Sequence, residues 1–195
     1  MIFLLVSCGN SPTDKAEALI EEDMVKNLYI PDSYESVETK VDSAFAPFDS
    51  PELYYQISEL LEMDDKTQEY ENKVKHAKSS IAIWGNPYDA FSRNRHEESK
   101  AEYKEYMEKL NAIQKRIMKT ADNIRKIVRQ EPRFIGYKAV HRYRAKNNAG
   151  QVLMGNQLYI LNGDLTKIIA SYDMESREYT VFHEVVGRVM EEINE

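Results

Sequence analysis

Basic side chains alternate along one segment near residue 140, where they could bind an anion. Residues 134–145 alternate in the way expected of a β-strand with two different faces. Lys138, Arg142 and Arg144 fall on one face and offer N–H donors suited to carboxylate or phosphate groups. The same row fits a solvent-facing strand whose charges pair with acidic neighbours, and the pattern favours this second interpretation.

The nearest base, His141, falls on the opposite face of the same predicted strand, together with Tyr143. A general base must come within hydrogen-bond reach of the group that it deprotonates. The alternation therefore predicts an electrostatic surface rather than a catalytic centre. We expect no catalytic residues and no enzymatic activity, with a hydrolase as the least favoured function.

Other chemistry-bearing patterns are incomplete. His183-Glu184 is followed by Gly187 at the position where a zinc protease motif has its second histidine. The sequence has no G-x-S-x-G nucleophile motif and no phosphate-binding glycine loop. Four scattered histidines and a single cysteine do not predict a transition-metal site. We therefore expect neither a metal nor a cofactor.

An aromatic group surrounds the only tryptophan, Trp84, with Tyr88 and Phe91 close by in the chain. Exposed aromatic rings of this kind could stack on a glycan. The more common arrangement is that aromatics at a helix junction form its core, and we favour that arrangement while keeping Trp84 as a candidate ligand-binding residue.

The only cysteine, Cys8, follows an apolar run that ends in Leu5-Val6-Ser7. This pattern resembles the lipobox of bacterial lipoproteins, in which the cysteine is acylated. The resemblance implies that residues 1–7 are the remnant of a signal peptide, that Cys8 is the lipid attachment site and that residues 8–13 are a tether. It also implies anchoring in the outer membrane, facing the periplasm or the surface. The segment is short and has no basic residue, so an upstream start or a chance apolar N-terminus is the alternative.

The net charge of −7 hides an uneven distribution. Residues 1–65 hold fifteen acidic and three basic residues, whereas residues 115–146 hold eleven basic and two acidic ones. We expect the two regions to neutralise each other in the fold. The alternative is a basic face for an anionic partner such as lipid head groups or glycan, and the acidic total argues against nucleic acid.

Helical periodicity dominates the middle of the chain. Residues 14–29 predict a first helix, and residues 50–64 and 66–84 predict two more, separated at Asp64-Asp65. A seam with alternating three- and four-residue spacing predicts a helix over 96–130 in which Ile113, Ile117 and Ile124 are buried. We favour an intramolecular hairpin, hence a monomer, over a dimerising coiled coil.

Strand patterns flank this helical region. Residues 34–45 predict an edge strand, and residues 134–145, 152–160 and 165–170 predict three more, the last two joined at Asn162-Gly163-Asp164. Residues 182–193 predict a C-terminal helix.

Two stretches, residues 27–35 and 136–147 with Gly150 after them, resemble functionally uncharacterised small lipoproteins of Bacteroides-type bacteria. The resemblance implies one helix packed on a small antiparallel sheet, in a cystatin-like layout, and it implies no particular activity. It also suggests that the long helical middle is an insertion.

The sequence thus predicts an α+β fold, with an N-terminal helix on about four antiparallel strands, an inserted helical hairpin and a C-terminal helix. Residues 14–49 and 132–195 would form the core domain, and residues 50–131 a coiled-coil-like insertion. We expect a non-enzymatic, membrane-anchored envelope lipoprotein with a binding or scaffolding role and an envelope protein or glycan as partner. The alternative is a module that binds glycan or a small anionic ligand through Lys138, Arg142, Arg144 or Trp84.

Overall fold

A computed structural model describes residues 11–194. The chain divides into two compact units. The sheet unit comprises the chain up to Tyr55 and again from Ile127, and the helical unit is Gln56–Lys126.

The sheet unit is built on four antiparallel strands in the order β1-β2-β3-β4. Their bounds are β1 Glu35–Ala46, β2 Arg133–Lys146, β3 Val152–Leu161 and β4 Ile168–Asp173. The pairing of β1 with β2 runs from Glu35↔Arg144 to Ala46↔Arg133. The pairing of β2 with β3 runs from Tyr137↔Leu161 to Lys146↔Val152. The predicted antiparallel sheet, with the first strand at an edge, is confirmed.

Helix α1, Pro12–Asn27, covers one face of the sheet. It begins earlier than predicted because Ser11 caps it: the Ser11 hydroxyl accepts from the Asp14 N–H at 3.1 Å, and the Asp14 carboxylate accepts from the Ser11 N–H. The first helical turn therefore occupies part of the segment expected to be a tether. Three residues at helical spacing, Ala16, Ile20 and Met24, are buried in one core cluster with Ala139, Tyr159 and Leu161.

The C-terminal helix α4, Arg177–Asn194, approaches the other face of the sheet through aromatic side chains. Helix α2, Pro51–Ile83, follows β1 in the chain, and Tyr54 lies in its first turn. The Tyr54 ring stacks on Tyr172 of β4 with ring centroids 3.9 Å apart. The same ring lies 5.2 Å from Phe182 of α4. Helices thus pack on both faces of the sheet, and the predicted α+β fold is confirmed.

Helix α2 is continuous, so the predicted interruption at Asp64-Asp65 is wrong. The sequence has no glycine or proline between Pro51 and Gly85, and two acidic residues alone do not break a helix. The side chains here support the helix, because Gln68 donates to the Asp64 carboxylate at 3.0 Å.

Helix α3, Ala90–Val128, runs antiparallel to α2. Within the helical unit, Arg116 pairs with Glu59 at 2.9 Å, the Tyr106 and Tyr70 rings lie 6.0 Å apart, and the Phe91 and Trp84 rings lie 5.8 Å apart. Residues later in α2 contact residues earlier in α3. The two helices therefore pair as an antiparallel hairpin. Among residues 11–194, no helix combines the length and apolarity that a membrane crossing requires.

The seam of α3 is buried at Leu110, Ile113 and Ile124, as its spacing predicts. Ile117 is an exception, because it is only half-buried.

Candidate functional site

The predicted basic row lies on one face of β2, and the neighbouring strand supplies an acidic residue opposite each member. The register pairs Lys138 with Asp42, Arg142 with Glu38, and Arg144 with Glu35. The Arg144 guanidinium lies 3.9 Å from the Glu35 carboxylate, and more than half of each side chain is exposed. Exposed pairs of this kind contribute about 0–1 kcal/mol. The two arginines therefore belong to a solvent-facing strand surface, on which Arg144 pairs with Glu35, whereas the Glu38 carboxylate pairs with Lys40.

Lys138 is in a different environment from the two arginines. Its ammonium donates to both carboxylate oxygens of Asp49, at 2.9 and 3.1 Å, and both side chains are partly buried. Asp49 also accepts from the Phe45 backbone N–H at 2.8 Å, which holds the carboxylate in place. The three predicted residues thus do not form one site.

His141 lies on the opposite face, as the alternation predicts, and it is buried. Its Nε2 lies 3.0 Å from the Tyr34 hydroxyl and its Nδ1 lies 3.0 Å from the Thr39 hydroxyl. Burial lowers the pKa of His141, so the imidazole is uncharged at neutral pH. Each of its two ring nitrogens has a hydrogen-bond partner. This histidine holds β1 against β2 and does not share a pocket with the arginines.

A cavity of about 290 Å³ opens between the sheet and α4, on the face that carries Lys138. Aliphatic side chains of β2 and β3 form its floor, and aromatic side chains of α2, β4 and α4 form its walls. The apolar lining residues are Phe48, Val140, Leu158, Ile160, Tyr54, Tyr172, Tyr179, Phe182 and Val186. Lys138, Asp49, Ser50 and His183 supply the polar part of the lining.

Two phenols of this cavity, those of Tyr172 and Tyr179, are uncharged at neutral pH. Burial raises the pKa of Tyr172 to about 12, with the neighbouring Tyr54 adding to the shift. Burial also raises the pKa of Tyr179, and the nearby Asp49 charge acts in the same direction. The hydroxyls therefore remain neutral hydrogen-bonding groups in an apolar surrounding.

This cavity was not among the predicted sites, although one sequence pattern indicates that the sheet face beneath it is covered. Val140, Leu158 and Ile160 are apolar residues on the sheet face that also bears the basic row. Apolar residues on both faces of a strand indicate that both faces are covered. The position of the covering helix, and the space that it leaves, depend on tertiary packing.

Trp84 directly follows the end of α2 and is half-buried. Its ring meets Phe91 edge-on, with centroids 5.8 Å apart. The neighbouring large apolar side chains are exposed: Ile83 by 73%, Tyr88 by 85% and Phe91 by 60%. The expectation that these aromatics form a junction core is therefore wrong for Tyr88 and Phe91.

Cys8, the predicted lipid attachment site, lies outside the described residues. Within residues 11–194, no three histidine, cysteine or carboxylate side chains are grouped so that they could hold a metal ion.

Comparison with protein-family models, with curated proteins and with solved structures finds no match to this chain.

Proposed function

We propose that this protein is a non-enzymatic, lipid-anchored binding protein of the outer membrane, which holds a small, uncharged, largely apolar molecule between its sheet and α4. The observation that carries the proposal is the cavity of about 290 Å³, with its aliphatic floor and aromatic walls. Apolar pockets with a few polar groups are the usual form of small-molecule binding sites.

The size of the cavity limits the ligand. An apolar cavity of about 150 Å³ is enough to hold benzene. The cavity under α4 has about twice that volume, so a molecule of one or two rings fits. Its aromatic walls favour a ring system, because rings stack or meet edge-on with Tyr and Phe side chains.

The charges around the cavity favour a neutral ligand over an anion. The Lys138 ammonium is compensated by the Asp49 carboxylate at 2.9 Å, so the pair presents no net charge. The ammonium has three N–H donors, and two of them go to the two Asp49 carboxylate oxygens. A hydrogen-bond acceptor on the ligand, such as a carbonyl or ether oxygen, would complement the third.

The non-enzymatic part of the proposal is supported by the positions of the candidate catalytic side chains. The neutral, buried His141 and the exposed Arg142 and Arg144 lie on opposite faces of β2, so they cannot act on one substrate. The lipid anchor rests on the resemblance of Leu5-Val6-Ser7-Cys8 to a lipobox.

Two dyes that differ by one charge test the ligand class. Dansyl amide is neutral, and 5-dimethylaminonaphthalene-1-sulfonate carries an anionic group on the same two rings. We expect the neutral dye to bind more tightly, with a rise in its fluorescence. Val140→Phe should fill the cavity and weaken that binding by about tenfold or more, since tenfold corresponds to about 1.4 kcal/mol.

Val37→Phe is the matched control, because Val37 lies on the same sheet and is 44% exposed. It should leave dye binding unchanged. Equal loss in both variants would contradict a site under α4. Stronger binding of the sulfonate, abolished by Arg142→Gln, would instead support the alternative of a small anionic ligand on the basic row.

A further inference from the structure

The junction of α2 and α3 carries an exposed apolar surface that the proposed function does not use. We call it the hairpin tip and define it as Ile83, Trp84, Tyr88 and Phe91. Three of these side chains are at least 60% exposed, and Trp84 is half-buried against Phe91. Contiguous exposed apolar side chains on a soluble domain generally mark an interaction surface.

The tip is a defined structure and not a loose loop. The Asp89 carboxylate accepts from the Ser92 N–H at 2.7 Å, which caps the start of α3. The Ser92 hydroxyl is buried and accepts from the Tyr88 and Asp89 N–H groups at 3.0 and 3.1 Å. Tyr88 and Phe91 are therefore presented outward by an ordered turn.

Basic residues surround the tip, although the chain as a whole is acidic. Residues 72–96 contain five Lys or Arg and a single acid, Asp89, in a protein of net charge −7. The nearest three to the apolar residues are Lys78, Arg93 and Arg95, which we call the basic collar. Arg95 also lies over the Phe91 ring, 5.6 Å from its centroid. The positive charge of Arg95 is partly compensated, because its guanidinium lies 3.2 Å from the exposed Glu98 carboxylate.

The spacing between collar and tip matches the depth of a lipid interface. Lys78 precedes Ile83 by five residues, about 7.5 Å along a helix, and Arg93 and Arg95 follow Phe91 by about 3 and 6 Å. Interfacial apolar groups enter a bilayer by about 5–10 Å. The basic side chains would then lie at the level of the lipid phosphates, with their alkyl stems along the apolar boundary.

We propose that the hairpin tip docks on an anionic lipid bilayer, with Trp84, Tyr88 and Phe91 in the interface and the basic collar on the lipid phosphates. Aromatic side chains favour this interface because their rings are apolar and their polar edges stay wet. This contact is separate from the predicted acyl chain on Cys8 and from the cavity under α4. It gives the helical unit its own means of binding a membrane.

Trp84 makes the test direct, because it is the only tryptophan in the chain. The full chain carrying Cys8→Ala, so that no acyl group contributes, is mixed with vesicles of phosphatidylcholine or of phosphatidylcholine with phosphatidylglycerol. We expect a blue shift of the Trp84 emission and co-sedimentation with the anionic vesicles, both weakened by salt.

Three variants in the same background separate the parts of the surface. Tyr88→Ser with Phe91→Ser should abolish the blue shift. Arg93→Gln with Arg95→Gln should weaken vesicle binding by about fivefold to 30-fold, from about 1 kcal/mol for each basic residue near the surface, the lower figure allowing for the Arg95–Glu98 pair. The control is Val152→Ser with Leu153→Ser, which removes exposed apolar side chains of the sheet unit and should bind like the parent.

Two results would overturn the proposal. Equal binding to neutral and anionic vesicles would show that the basic collar has no part in it. A Trp84 shift that follows protein concentration without vesicles, lost in the Tyr88→Ser/Phe91→Ser variant, would show that the tip joins two copies of this chain instead.

Discussion

Truncation of Ile113 to alanine should destabilise the helical unit strongly, because this side chain is 5% exposed in the seam of α3. The change removes three carbon atoms, which at about 0.8 kcal/mol each is a loss of about 2.4 kcal/mol in transfer free energy. The space left behind adds to this loss, and buried Ile→Ala substitutions cost about 2–5 kcal/mol in total. We therefore expect the free energy of unfolding to fall by about 3–4 kcal/mol.

Urea unfolding followed by Trp84 fluorescence measures this loss, because the only tryptophan lies in the helical unit. With a slope of about 1–2 kcal/mol per molar urea, the midpoint should fall by about 1.5–4 M. Met118→Ala is the control, since Met118 is on the same helix and 69% exposed. Its free energy of unfolding should change by no more than about 0.5 kcal/mol, as is usual for a substitution at a surface position.

Equal midpoints for the two variants would refute the burial of the seam. A parent midpoint that rises with protein concentration would refute the intramolecular hairpin, because only an association equilibrium depends on concentration.

Three further predictions concern the sheet unit and the anchor. Cys8→Ala should release the protein from the membrane fraction in a high-salt wash, which also weakens any contact of the basic collar with lipid, and unchanged detergent partitioning would contradict lipidation. Arg142→Gln with Arg144→Gln should change the melting temperature little, because exposed ion pairs contribute about 0–1 kcal/mol each; unfolding of this variant would mean that the arginines are structural. Because the folded state of His141 has a pKa below the ordinary 6.5, its neutral form is preferred in the fold. Its stabilising contribution is therefore complete above pH 6.5 and is lost as the pH falls below 6.5 towards the folded pKa. His141→Gln should remove this part of the pH dependence in thermal melts.

The sequence by itself determined the elements whose signals are local. Capping and proline positions mark the start of α2 at Pro51 and the end of the hairpin helix before Pro132, because these residues act on the backbone within one turn. Strand alternation likewise separated His141 from Arg142, because successive side chains of a strand point to opposite faces. The local errors concern helix bounds: the predicted interruption at Asp64-Asp65 treated charge as a helix breaker, and α3 begins at Ala90 and not at 96, because Asp89 caps it.

Only the tertiary structure decided which partners these residues meet. His141 binds Tyr34 and Thr39, more than 100 positions earlier in the chain, and Lys138 binds Asp49, 89 positions earlier. Alternation defines the face of a strand, but the register against a distant strand is set by which pairing buries the most apolar surface. The cavity under α4 and the exposed hairpin tip have the same origin. Each depends on where one element stops covering another, and that is a property of the packed chain and not of any local pattern.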